Sequence, residues 1–158
     1  MPWPQDRQKK AFRMPFRFSL QKVLDYREQL EEEAKNRFAL VQRQYREAKA
    51  QLAALLSELE TQEARLYGQV IDNAGERWLL ESFIKGLRAD IEVTTARVQH
   101  LRATRDEMRR ILAARSMDRK LLEKLKERKY RQYLLDERLK EQRFNDEIAT
   151  LRYKAPNF

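Results

Sequence analysis

Apolar residues step along the first half of the chain by threes and fours. The positions are Leu20, Val23, Arg27, Leu30, Ala34, Phe38, Val41, Tyr45, Ala48, Leu52, Leu55, Leu59, Gln62 and Leu66. Only Arg27 and Gln62 are not apolar, so the pattern predicts one long amphipathic helix with a seam of period near 3.5. Two fours fall in succession around Ala34, which predicts a stutter where supercoiling relaxes. A second seam opens at Leu80 and runs through Ile84, Leu87, Ile91, Thr94, Val98, Leu101, Arg105, Met108 and Leu112. Beyond Leu112 the rhythm weakens into a broken stripe of Met117, Leu121, Leu122, Leu125, Leu135, Leu139, Ile148 and Leu151. Arg27, Arg105 and Arg115, on or beside the seam, are candidates for setting register at some cost in stability.

The punctuation fits two helices. Prolines stand only at positions 2, 4, 15 and 156, and turn-forming residues concentrate at Gly68 and at Asp72-Asn73-Ala74-Gly75. Glycine ends many helices, and Asp and Asn favour turns. Gly86 lies inside strong periodicity and reads as a glycine tolerated within a helix. The expectation is all-α: an antiparallel coiled-coil hairpin over residues 16–153. Its first helix spans about 19–68 with Ser19 as N-cap, its turn about 69–77, and its longer second helix about 78–152. Arms of about 50 and about 75 residues would measure roughly 75 and 110 Å, so the second overhangs the first. Residues 1–15 read as a basic, disordered leader, with Met14 a second candidate for the start, and 154–158 as a tail.

Composition narrows the chemistry. Of 158 residues, 37% are charged, with three glycines, no cysteine and one histidine, His100. Thiolate metal sites and disulfides are excluded, and one histidine makes no zinc cage. The three glycines are too far apart for a phosphate loop. No apolar run exceeds Leu52 to Leu56, far short of the ~20 residues that span a bilayer. No catalytic, metal or cofactor-binding residue is expected, the enzyme class is disfavoured, and the lack of cysteine fits the cytoplasm. His100, next to the seam, reads as a surface residue. Glu31-Glu32-Glu33 reads as a solvated face near a helix N-terminus.

Charge is unevenly spread. Residues 16–67 carry nine basic and nine acidic groups, whereas 101–158 hold 17 basic and 10 acidic, for +7 of the chain's net +9. The densest stretch, Arg109 to Arg131, has ten basic residues against Asp118, Glu123 and Glu127. It reads as a solvated helix face or as a docking surface for an acidic protein. Nucleic acid is disfavoured as a partner. The basic block follows a long apolar seam instead of preceding one, is interrupted by Leu121, Leu122 and Leu125, and contains no asparagine. Tyr130 and Tyr133 are read as boundary packing or as stacking platforms. Trp78 and Phe83 are read as turn packing or as an exposed recognition patch.

The opening Phe16-Arg17-Phe18-Ser19-Leu20-Gln21-Lys22-Val23-Leu24-Asp25-Tyr26-Arg27 resembles the F-x-L-x-x-V/L-L-x-x-R start of the flagellar FliJ family. Gly75-Glu76-Arg77-Trp78 with Phe83-Ile84 and Leu87 is similar to that family's segment after the turn, as is the basic stretch Glu123 to Arg128. The resemblance covers about residues 14–152. It implies a non-catalytic component of the flagellar type III protein export apparatus, cytoplasmic and peripheral to the inner face of the membrane at the flagellar base. It further implies a stalk-like linker between the export ATPase hexamer and the cytoplasmic domain of the export gate, monomeric when free, and an escort for export chaperones. The family's gate-facing surface falls on Phe83, Leu87, Asp90 and Thr94, and on Gln51 and Leu55. Asp90 and Thr94 stand in place of a small residue and a histidine, and Glu58 and Gln62 where the family shows tyrosine. The ATPase-ring contact is then expected at Arg109, Arg110, Arg115, Arg119, Lys120, Lys124, Lys126 and Arg128. The alternatives are a related injectisome stalk or a generic coiled-coil rod.

Overall fold

A computed structural model describes residues 15–153. The leader reading for 1–14, the alternative start at Met14 and the tail at 154–158 fall outside them. Two helices account for nearly all of the described chain: α1, Gln21–Gly68, with 48 residues, and α2, Ala74–Arg152, with 79. The architecture is all-α, with the second helix the longer, as the periodicity requires. The described residues divide into two compact units, 29–116 and 15–28 with 117–153.

In the unit 29–116, the two helices pack antiparallel around the reversal. Leu66, Leu80 and Ile84 form a buried cluster, and Leu59 and Ile71 pack against it. Ile71 belongs to the connecting loop, so the turn folds its own apolar residue back under the hairpin. Arg88 Nη2 reaches Glu63 Oε1 at 2.6 Å across the same end. Further along, Ala48, Leu87 and Thr94 are buried. No side chain is less than 2% exposed among the described residues. Two helices alone bury a stripe and leave its flanks in water, so the stripe and not helix propensity carries the stability.

α2 begins at Ala74, four residues before the expected start at 78. Asn73 accounts for the difference. Its Oδ1 accepts a hydrogen bond from the Gly75 amide at 2.9 Å, and its carbonyl accepts from Arg77 N at 3.1 Å. This is an N-cap, satisfying one of the amides that a helix start leaves without a partner. A Cβ on Gly75 would lie 3.2 Å from that same Oδ1, tighter than ordinary contact, so glycine here leaves room for the cap. α1 begins at Gln21, with Ser19 and Leu20 in the preceding turn. The Leu20 carbonyl takes the first helical bond from Leu24 N at 2.9 Å, and so Leu20, not Ser19, stands at the cap.

The predicted stutter is absent. Buried or half-buried residues run Leu24, Arg27, Glu31, Ala34, Phe38 and Val41, an unbroken alternation of threes and fours. Leu20 and Val23 are exposed, and Leu30 sits half-buried beside the line. Glu31 takes the seam position and is 5% exposed, which also overturns its reading as solvated face. Its aliphatic stem can fill the stripe while Lys35 Nζ approaches the carboxylate at 4.0 Å. Past Leu112 the rhythm persists through Arg115, Arg119, Leu122 and Lys126, all half-buried. Long basic side chains can cover apolar surface with their stems and keep their charges wet.

In the unit formed by 15–28 and 117–153, Arg27 Nη1 donates to Asp118 Oδ2 at 2.9 Å. Phe16, ahead of α1, packs edge-on against Tyr130 at 5.2 Å between centroids and against Tyr133 at 5.6 Å. The two tyrosines are therefore boundary packing in part, closing over the entry to α1, although Tyr130 remains 46% exposed.

Candidate interaction surfaces

The reversal presents apolar residues to solvent. Tyr67, Val70, Trp78, Leu79 and Phe83 are all at least half exposed. Trp78 is 65% exposed and stands outside the buried cluster of Leu66, Leu80 and Ile84 beside the turn. Of the residues expected at the gate-facing surface, Phe83, Asp90 and Gln51 are exposed and Leu55 is half-buried. Leu87 and Thr94 are 6% exposed and turned into the seam, where they support that surface from within.

Midway along the hairpin the seam carries a polar layer. The Arg105 guanidinium lies 4.5 Å from the centroid of the Tyr45 ring, a cation–π arrangement. Its Nη2 also reaches Asp106 Oδ1 at 2.9 Å. The hydrogen bond from Arg105 holds the Asp106 carboxyl below the usual carboxylate range and, reciprocally, raises the guanidinium. Tyr45 and Arg105 were both legible as seam positions, but their pairing requires knowing which turns of the two helices face each other. Gln42 Oε1 is buried near this layer without a hydrogen-bond partner. His100 is exposed, and its carbonyl accepts from Thr104 Oγ1.

The basic block divides into two kinds of residue. Arg109, Arg110, Lys120, Lys124 and Arg128 are exposed, whereas Arg115, Arg119 and Lys126 are half-buried on the seam side. Arg110 pairs with Glu107 at 3.6 Å, Arg119 with Glu123, and Arg131 with Glu127 at 3.8 Å. The exposed cations are thus only partly neutralised along their own helix. Apolar residues share this region: Met117, Leu121, Leu135, Leu139, Phe144 and Leu151 are each more than half exposed. Farther on, the hydrogen bond to Glu137 raises the Lys140 ammonium above its ordinary value.

Among the described residues no cluster of three His, Cys, Asp or Glu side chains is arranged to hold a metal ion, and no helix is long and apolar enough to cross a membrane. The arrangement offers surfaces for protein contact: an apolar tip and a basic, apolar-striped distal helix.

A family model described as flagellar FliJ protein matches residues 16–157. No curated protein and no solved structure matches the chain.

Proposed function

The chain belongs to the flagellar FliJ family, a component of flagellar protein export, and from that premise we propose that it links the export ATPase ring to the export gate. The distal part of α2 is the ring-binding element. The hairpin surface around Phe83, with Asp90, Gln51 and Leu55, is the gate-binding element, and the protein also escorts export chaperones. It acts without catalysis of its own, in the cytoplasm, at the inner face of the membrane at the flagellar base.

The observation that carries this reading is the co-location of charge and unpartnered apolar surface on distal α2. Lys120, Lys124 and Arg128 are exposed on the same stretch of helix as exposed Leu121, and exposed Leu135 and Leu139 follow further along. A basic field steers a helix toward an acidic lining and orients it, and apolar side chains then supply contact area.

The test is the turnover of the matching export ATPase with and without the purified chain, together with pull-down of the ATPase and of the gate domain. Stimulated turnover and capture of both are expected. The triple variant K120E/K124E/R128E should lose ATPase capture while retaining gate capture. A wild-type chain that neither binds the ATPase nor alters its turnover defeats the proposal.

A further inference from the structure

We propose that the face of α2 beyond Tyr133 is the docking site for the chain's own N-terminal segment, residues 1–14: Glu137 and Glu141 receive its basic residues, and Phe144, Ile148 and Leu151 receive Trp3.

The described chain leads there. Arg27 donates to Asp118, and Phe16 lies against Tyr130 and Tyr133. Going back from Arg27 to Phe16, the contact on α2 moves toward the C-terminal end of that helix, and the residues before Pro15 start from that point. Positions 126, 130, 133, 137, 141, 144, 148 and 151 of α2 step by fours and threes, so they share the face on which Phe16 sits. Withdrawal from water continues past the tyrosines, with Glu137 9% exposed and Ile148 half-buried. On the same face Phe144 is 62% exposed and Leu151 81%, apolar area left open for an occupant.

Charge and order identify that occupant. Residues 1–14 hold Arg7, Lys9, Lys10 and Arg13 against Asp6 alone. The stretch 109–131, with ten basic residues against three acidic, repels such a segment, whereas 134–153 holds five acidic and four basic. Lys140 already pairs with Glu137 at 3.0 Å, but a carboxylate accepts from more than one donor. Outward from Phe16 the segment runs from Arg13 to Arg7, with Phe12 among the cations, and then reaches Trp3. Outward from Tyr133 the face of α2 runs through Glu137 and Glu141 and then Phe144, Ile148 and Leu151. Basic meets acidic first, and aromatic meets apolar after. Length permits the match, because residues 1–14 can reach as far as ~46 Å and α2 rises ~27 Å from Tyr133 to Leu151. The tether at Phe16 also holds the segment at a local concentration that a second copy or a separate protein lacks.

Docking covers the end of α2. If that end also enters the export ATPase ring, segment and ring compete for it; that consequence alone rests on the proposed function, while the docking does not.

Because the native chain has no cysteine, paired thiols can be placed at will. In the full-length chain, Q5C with N145C, at the edge of the docking face, should form an intramolecular disulfide under mild oxidation. Leu121 is 65% exposed and lies closer along α2 to the tyrosines that hold Phe16, so a segment that samples space freely would join Q5C to L121C at least as fast. The 145 pair should instead close about tenfold faster than the 121 pair, and adding W3A should remove that advantage. Equal rates for the two pairs, an advantage untouched by W3A, no disulfide at 145, or one formed only between chains, which would give the face to a second copy, overturns the proposal. The oxidised Q5C/N145C chain should capture less export ATPase than the reduced one. Intramolecular closure with capture unchanged would refute the competition and leave the docking standing.

Discussion

Ile84 and Phe83 are adjacent on α2 yet face opposite environments, and replacing each with alanine separates them. Ile84 is 3% exposed within the cluster of Leu66 and Leu80, with Leu59 and Ile71 against it, whereas Phe83 is half exposed. A buried isoleucine truncated to alanine costs ~2–5 kcal/mol, from lost transfer energy and the cavity left behind. A two-helix seam has no fully buried side chain and can close partly over a gap, so ~2–3 kcal/mol is expected for I84A. For a chain of this size that corresponds to a fall of about 4–12 °C in Tm. F83A forfeits only the buried half of its ring and should cost less than ~1.5 kcal/mol. Helical circular dichroism followed through urea and thermal unfolding measures both. Equal losses for the two variants, or a loss below ~1 kcal/mol for I84A, would refute the placement of the seam. The order should reverse in binding, where F83A weakens gate capture and I84A acts only through stability.

Other residues give sharper, smaller tests. N73A removes the acceptor for the Gly75 amide and should cost ~1 kcal/mol; the amides of 75–77 should exchange faster with solvent, and unchanged exchange would disprove the cap. F16A removes the ring packed on Tyr130 and Tyr133, forfeiting ~0.5–1.5 kcal/mol beyond the buried area, and should weaken the near-ultraviolet tyrosine dichroism. Asp106 sets a pH dependence. Its folded carboxyl titrates below the unfolded value because Arg105 donates to it. The resulting stability is present above the ordinary carboxylate range and is lost as pH falls through the lowered value. D106N should therefore melt below the wild type at neutral pH and converge with it in acid; parallel melting curves across that range would exclude the linkage.

The hairpin was readable from sequence because a two-helix seam writes itself as a strict repeat. From Ala34 to Leu66 and from Leu80 to Leu112, the positions identified by spacing are those withdrawn from solvent. Where sequence and structure part, hydrophobicity and position on the repeat part as well. Leu30 outranks Glu31 on any apolar scale, yet the phase of the repeat places Glu31 on the seam and leaves Leu30 at its edge. Arg115, Arg119 and Lys126 hid the continuing rhythm in the same way. Asn73 was visible as a turn residue, but the amide it caps fixes the helix start at Ala74 and emerges only from geometry. The Phe16 contact with Tyr130 and Tyr133 joins residues more than a hundred positions apart, which no local pattern encodes. At the candidate surfaces, the sequence supplied Phe83 and the exposed cations among the basic residues, and the spacing that puts Leu87 and Thr94 on the seam accounts for their burial, against the place that the resemblance gives them on an exposed surface.

The capped turn at Asn73, with Ile71 tucked beneath it, closes the hairpin without drawing on any distant layer of the seam. Each layer of such a ladder answers only to the rungs above and below it. Deleting matched sevens from both arms would then preserve every remaining rung, making reach an adjustable quantity that selection can tune separately from the identity of the tip.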